Sequence, residues 1–233
     1  MRANKKLNIV LDIGKTNIKL IFFDQNNKVV KSFNSKQRST KKHGIKVLNS
    51  PSVYEWTLQK IKTVEKKYQL DKFVCTAHAC STALIDFNDK ELIACTDYEF
   101  PYHKYVKGYQ KIIPSFNESY TPLLENGLNT GLQLYYLNQK KPELIKKTKY
   151  FLNYPQYITL KMTNNYTSEI SYLGCHTHLW YFKKNKLSSL VKKLKFQNKF
   201  PSNEKAWKTI GIKKIGHSKL QIINGVHDLS LIH

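Results

Sequence analysis

Arginine is nearly absent from this 233-residue chain, although lysine is abundant. Arg2 and Arg38 are the only arginines, while 39 Lys and Arg residues face 16 Asp and Glu residues, for a formal net charge of +23 at pH 7. Proteins that bind phosphates or read bases normally also use the planar, bidentate guanidinium group. The lysines are spread along the chain, as is typical of solvated faces. The sequence therefore predicts no specific nucleic-acid partner.

Long apolar runs and paired cysteines are also missing. No apolar stretch is long enough to cross a bilayer, and the basic N-terminus leads into a strand-like segment without a cleavage site. We therefore expect no membrane association and a cytoplasmic location. The four cysteines form no CxxC pair, which favours reduced thiols. The cluster from Cys175 to His178 lacks the second Cys/His pair of a tetrahedral metal site, so structural packing is its better interpretation.

Hydrophobic residues make up 41% of the chain, enough for a packed interior. Apolar residues alternate over 7–11, 18–23 and 28–33, which predicts three strands joined by short turns. A helix is predicted from Pro51 to Lys67, with Ser52 as its N-cap. Strands and helices are mixed throughout, so the predicted class is α/β or α+β with one mixed sheet. The remaining predicted elements are strands at 72–76, 92–95 and 220–226, an aromatic loop at 97–109, helices near 127, over 142–149 and around 187–194, and a strand running into a helix over 149–162.

The first predicted hairpin carries the strongest local motif, Asp12-Ile13-Gly14-Lys15-Thr16-Asn17-Ile18-Lys19. Gly14 allows close approach of the backbone to a ligand. The next three residues offer a cation, a hydroxyl and an amide beside backbone N–H groups, which suits a phosphate. A carboxylate at the end of a strand can hold Mg²⁺ directly or through water. A DxG sequence is also common in ordinary turns, so by itself it does not identify a phosphate site.

The position of this motif resembles the first phosphate loop of the actin/hexokinase-like ATPase fold, and within it the FGGY family of carbohydrate kinases. The resemblance extends from about Leu7 to Asp228 and points to the fuculose- or rhamnulose-kinase-like branch. It implies a ribonuclease H-like (actin-like ATPase) α/β domain with a mixed sheet flanked by helices. The other supporting segments are 76–79, 97–99, 126–133, 154–157, 168–169, 173–180 and 225–228.

The resemblance also implies roles for individual residues, with ATP and Mg²⁺ as cofactors and a ketose or related polyol as substrate. Asp12 would organise the Mg²⁺ of MgATP, and Gly14, Lys15, Thr16 and Asn17 would approach the transferred phosphate. His78 would line the sugar pocket. Asp228 would contact the sugar and accept the proton of the attacking hydroxyl, since phosphoryl transfer needs an oriented acceptor.

Several site candidates have structural alternatives. His78 fits a hydrogen-bonded core histidine as well as a sugar ligand. Asp97 and Glu99 are either sugar contacts or carboxylates on the rim of an aromatic loop. Gln133 and Gln156 fit capping or surface roles as well as ligand contact.

The family continues beyond its general base into a second domain that supplies the adenosine pocket, whereas only 229–233 follow Asp228 here. We therefore expect residues 1–228 to form the N-terminal kinase domain and 229–233 to be a truncated start of the next one. A separately encoded C-terminal kinase domain is a possible partner. The alternative is a catalytically inactive sugar-binding fragment, and the third hypothesis is a basic nucleic-acid binder, whose affinity would fall steeply with salt.

Overall fold

A computed structural model describes residues 3–228, with side chains from Lys6 onward. The strands, in chain order, are β1 (Ala3–Ile13), β2 (Asn17–Phe23), β3 (Val29–Lys36), β4 (Ser39–Lys42), β5 (Ile45–Leu48), β6 (Tyr68–Ala77), β7 (Thr82–Asp86), β8 (Glu91–Ile93), β9 (Thr148–Asn153), β10 (Trp180–Tyr181), β11 (Lys186–Leu187), β12 (Thr209–Ile215), β13 (Ser218–Ile223) and β14 (Val226–His227). The helices are α1 (Ser50–Glu65), α2 (Val106–Gln110), α3 (Phe116–Ser119), α4 (Thr130–Lys140), α5 (Pro142–Lys147), α6 (Tyr154–Thr163), α7 (Ile170–Gly174) and α8 (Ser189–Lys193).

The central sheet has the strand order β12-β13-β6-β1-β2-β3, with β14 also paired to β6. Strands β1 and β2 are antiparallel, whereas β6 is parallel to β1, β13 and β14, so the sheet is mixed. The α/β class with a mixed sheet flanked by helices is therefore confirmed.

The alternation that predicted the first two strands reflects burial on one sheet face. In β2, for example, Ile18, Leu20 and Phe22 are buried, while Asn17 and Lys19 are exposed. Helices α1 and α6 contact β6, and their apolar side chains join those of the sheet in one core cluster. A second cluster forms between α4, α8, the aromatic loop and β9.

Some predicted details were wrong. The cap of α1 is Asn49 rather than Ser52, because the Asn49 side chain accepts a hydrogen bond from the Ser52 backbone N–H. The aromatic loop is partly helical, since it contains a 3₁₀ turn at Tyr102–Tyr105 followed by α2. The β4–β5 hairpin, β7 and β12 were not predicted. Among the described residues, no helix combines the length and apolar character needed to span a bilayer.

Candidate active site

The carboxyl ends of three parallel strands place two predicted carboxylates at one edge of the sheet. Asp12 of β1 is aligned with Thr76 of β6, and Thr76 is aligned on its other side with Val226 of β14. Asp228 directly follows β14, so residues far apart in sequence meet at this edge. Ligands of open α/β sheets bind outside the carboxyl ends of the strands. The structure thus brings Asp12 and Asp228 together.

The electrostatics of Asp12 reflect this proximity. Burial raises the pKa of the half-buried Asp12, and the Asp228 carboxylate raises it further, against a lowering by Lys19. The Asp228 side chain is about one-third exposed, with a relative accessibility of 33%. A second carboxylate beside Asp12 makes this edge of the sheet a place that a cation would stabilise. Mg²⁺ is typically held by one or two carboxylates plus phosphate oxygens, so this donor set fits it.

The turn after β1 is tight and is closed by a backbone hydrogen bond. The Gly14 N–H donates to the Asn17 carbonyl oxygen at 2.9 Å. A Cβ added to Gly14 would lie 2.9 Å from that same oxygen, so a side chain here would force the turn open. Thr16 and Asn17 are exposed. Their side chains and the tight backbone are therefore accessible to a ligand.

Lys15 is directed away from this turn, toward the loop after β8. Its ammonium group donates to the Asp97 carboxylate and lies 3.5 Å from a Glu99 oxygen. The same Nζ stands 4.6 Å from the centroid of the Tyr98 ring. The cation predicted for the phosphate is therefore paired with carboxylates, and it joins the turn to this loop.

Asp97 is a buried anchor between three segments. Its side chain has no exposed surface, and it accepts hydrogen bonds from Lys15, from the Ser39 hydroxyl at 2.6 Å and from the Glu99 N–H at 3.0 Å. Burial raises the pKa of Asp97, but the bonds from Lys15 and Ser39 outweigh it and hold the pKa below its ordinary value. Lys46 lies 3.5 Å from the second oxygen. Asp97 thus presents no exposed oxygen to a sugar.

His78 combines burial with an unused acceptor. Its backbone N–H donates to Ile13, and its Nδ1 lies 2.9 Å from the Ala79 carbonyl oxygen, which makes Nδ1 the protonated nitrogen. Within residues 3–228, Nε2 is buried without a hydrogen-bond partner. Burial chiefly, with help from Lys15, lowers the His78 pKa, so the ring is a neutral acceptor. A buried polar atom without a partner points to a missing donor such as a ligand hydroxyl.

Gln156 is fully buried and supports the strand that leads to Asp228. Its side-chain nitrogen donates to the carbonyl oxygens of Asn224 at 3.0 Å and Gly225 at 3.3 Å. These two residues form the break between β13 and β14. Its Oε1 is buried and has no partner among the described residues. The structure therefore places Gln156 behind the strand break.

Asn224, which the sequence reasoning missed, anchors the same break. Its side chain is fully buried; Oδ1 accepts from Thr167 at 2.7 Å, and Nδ2 donates to the carbonyl oxygens of Ser168 at 3.1 Å and Glu204 at 3.0 Å. An Asn-Gly pair within a β-type run marks a local break, and this signal could have identified it.

The other polar candidates are part of the core. His178 is buried between the Tyr109 hydroxyl and the Thr121 carbonyl oxygen, at 2.9 and 3.0 Å. Gln133 is fully buried and donates to the carbonyl oxygens of Cys80 and Gly127, both at 2.7 Å. In the part of the chain from 3 to 228, no three His, Cys, Asp or Glu side chains cluster closely enough to hold a metal ion.

Comparison with known proteins matches residues 7–181 to the model of the FGGY family of carbohydrate kinases, N-terminal domain. A carbohydrate kinase from Novosphingobium aromaticivorans has a similar structure, with a TM-score of 0.90 and 25% identity over 97% of this chain and 50% of its own. A ligand-bound xylulose kinase from Lactobacillus acidophilus has a TM-score of 0.82 and 18% identity, over 97% of this chain and 49% of its own. The Plasmodium falciparum glycerol kinase with ADP has a TM-score of 0.79 and 16% identity, over 96% of this chain and 49% of its own. The chain thus spans about half the length of these structures. No curated protein matches the sequence.

Proposed function

Since this chain belongs to the FGGY family of carbohydrate kinases, we propose that it is the sugar- and phosphate-binding half of an ATP-dependent kinase. The substrate class is a ketose or related polyol, and the reaction is phosphorylation of one of its hydroxyls. The observation that carries this proposal is the meeting of Asp12 and Asp228 at the carboxyl edge of the sheet. The fuculose- or rhamnulose-kinase-like branch is a further part of the prediction.

The two carboxylates have different tasks in this proposal. Asp228 accepts the proton of the sugar hydroxyl as the new oxygen–phosphorus bond forms. Asp12 would hold Mg²⁺, and MgATP supplies the phosphoryl group together with neutralisation of its charge. Gly14, Thr16 and Asn17 bind the phosphate through the tight backbone turn, the hydroxyl and the amide.

The sugar lies against His78, whose neutral Nε2 accepts a hydrogen bond from a substrate hydroxyl. Asp97 contributes indirectly, because it binds the Lys15 ammonium group, which in turn lies over the Tyr98 ring. The rings of Tyr98 and His78 are in contact, with centroids 5.8 Å apart. Gln156 contributes by supporting the strand before Asp228.

A C-terminal kinase domain, encoded separately or in the same gene, would provide the adenosine site and close over the cleft. Closure excludes water and completes a site of this kind. The cytoplasmic location predicted from the sequence belongs to the same proposal, as do the lack of a membrane role and of a specific nucleic-acid partner.

Ligand binding to the full chain tests the proposal first. Thermal shifts are measured for the wild type, Asp12→Asn and His78→Ala. The chain alone is tested with a panel of ketoses and polyols, and the chain combined with the C-terminal half of a related kinase is tested with MgADP. Asp71→Asn, earlier on β6, serves as the control carboxylate. We expect a sugar-dependent shift that His78→Ala removes and a Mg²⁺-dependent nucleotide shift that Asp12→Asn removes. A flat panel in all proteins contradicts the proposal.

Activity separates the enzyme from its alternative, a sugar-binding module without catalysis. This alternative is considered because His78, with its unpaired acceptor, lies within this chain. The chain is combined with the C-terminal half of a related kinase, and sugar-stimulated ATP turnover is measured. Turnover that Asp228→Asn abolishes supports the enzyme; sugar binding without turnover supports the module.

A further inference from the structure

Helix α7 contacts both sides of the candidate site through two consecutive residues. The His227 backbone N–H donates to the Ser171 hydroxyl oxygen at 3.1 Å, and Asp228 is the next residue. The Tyr172 hydroxyl donates to the His78 carbonyl oxygen at 2.6 Å. The strand that ends at Asp228 and the loop that carries His78 are therefore held by one short helix.

The Ser171 hydroxyl has a second partner that fixes its orientation. It donates its hydrogen to the carboxylate of Glu169, which is almost fully buried and also accepts from the backbone N–H of Ser171 at 3.0 Å and of Tyr172 at 3.2 Å. Because the hydrogen is directed to the carboxylate, a lone pair remains for the His227 N–H. A hydroxyl can donate and accept in this way at once, whereas an alanine can do neither.

Tyr172 connects the two sides more directly. Its hydroxyl also accepts from the Ser81 N–H at 3.2 Å, and its ring lies edge-on to the ring of His227 with centroids 5.5 Å apart. The side chain is fully buried. A shift of α7 would thus displace both the loop that carries His78 and the strand that ends at Asp228.

Resting on the proposed function, we infer that Ser171 is a positioning residue for Asp228: it fixes the end of β14 and so sets where the proton-accepting carboxylate stands relative to His78. The hydrogen bond from the His227 N–H to Ser171 lies at the last residue before Asp228. It holds the end of β14, which comprises only Val226–His227. Bonds of Gln156 and Asn224 anchor the beginning of β14, and Ser171 anchors its end.

The experiment compares full-length Ser171→Ala with Ser171→Thr, which keeps the hydroxyl. Ser189→Ala is the matched control, because the Ser189 hydroxyl also donates to a glutamate, Glu118, at 3.0 Å, but at the start of α8. Asp228→Asn is the reference for loss of the carboxylate charge. If Ser171→Ala does not fold, Ser171→Cys replaces it, since a thiol still fills the site but is a weak acceptor.

Two NMR measurements on the labelled chain follow. Amide hydrogen exchange at His227 is expected to become about fivefold faster in Ser171→Ala and to return in Ser171→Thr, because one side-chain acceptor is lost. The ring titration of His78 should move to lower pH in Asp228→Asn and in Ser171→Ala, but not in Ser171→Thr or Ser189→Ala. The Asp228 carboxylate favours protonation of His78, so displacing it removes that contribution.

A His78 titration in Ser171→Ala equal to the wild type, while Asp228→Asn shifts it, would overturn the inference. An Asp228→Asn variant that leaves His78 unchanged would also overturn it, because Asp228 would then not stand beside His78. Neither readout depends on kinase activity. Failure of the sugar and nucleotide panel therefore removes the proposed function without altering the outcome of this test.

Discussion

Replacing Gly225 by alanine tests how tightly the break between β13 and β14 is packed. Gly225 has a φ of +87°, and its added Cβ would lie 2.7 Å from the Cys75 carbonyl oxygen and 2.9 Å from the Pro155 Cβ. A left-handed conformation costs a non-glycine residue about 1–2 kcal/mol. Neither neighbouring atom belongs to a flexible side chain, so overpacking adds about 1–3 kcal/mol. We expect Gly225→Ala to lower the free energy of unfolding by about 2–5 kcal/mol.

Gly44 provides the control. Its φ is +76°, but the nearest atom to an added Cβ is the Lys141 Nζ at 3.7 Å, the end of a flexible side chain. Gly44→Ala therefore carries only the conformational cost of about 1–2 kcal/mol. Urea unfolding followed by circular dichroism gives both values when the slope is unchanged. Equal destabilisation by the two substitutions would refute the steric argument.

The remaining predictions concern three buried polar residues, Asp97, His178 and Asn224. Asp97→Ala should lower the free energy of unfolding by about 2–3 kcal/mol. This is less than the loss of one partner from a fully buried ion pair, because Lys15 keeps Glu99 as a partner. The folded pKa of Asp97 lies below the ordinary value of 3.8. The ionised carboxylate therefore stabilises the fold fully above pH 3.8, and this stabilisation is lost as the pH falls through the folded pKa. Asp97→Asn should accordingly make the free energy of unfolding less dependent on pH in the acid range. A stability curve of Asp97→Asn that parallels the wild type below pH 4 speaks against this assignment. Burial lowers the pKa of His178 from 6.5 to about 4, so the unfolded chain binds a proton that the folded chain does not, and stability should fall as the pH decreases across this interval. Urea midpoints of His178→Gln between these pH values should depend less on pH, and an unchanged slope would contradict the argument. Asn224→Ala leaves several buried groups unpaired and should cost about 2–4 kcal/mol, against about 0.5 kcal/mol or less for the exposed Asn165→Ala. Similar melting temperatures for these two variants would disprove the anchoring role.

Local pattern was enough to predict the first hairpin and its motif. The alternation of β1 and β2 is a property of neighbouring residues, because successive side chains of a strand point to opposite faces. The Asp12-Ile13-Gly14 turn lies where that alternation ends, and the structure confirms both strands. The β4–β5 hairpin was missed because β4 has an exposed pattern without an apolar face.

The functional roles of the polar candidates depended on partners far away in sequence. Asp97 was a candidate either for sugar contact or for the rim of the aromatic loop. In the structure, Lys15 and Ser39 from distant segments donate hydrogen bonds to its oxygens. Gln156 was a candidate for ligand contact or for a capping or surface role. Its amide nitrogen donates to the backbone of Asn224 and Gly225, while its buried Oε1 has no partner among the described residues.

By itself, the sequence determined which residues can do chemistry at the end of the first strand, because strand alternation and a glycine turn are local. Only the tertiary structure decided which polar side chains form hydrogen bonds within the protein, because burial and hydrogen bonding depend on segments that meet after folding. Asp12 and Asp228 show the difference: each stands at a strand end that sequence can locate, but parallel pairing of β1, β6 and β14 places them together. That pairing is a non-local result of packing one sheet, and no short stretch of the chain contains it.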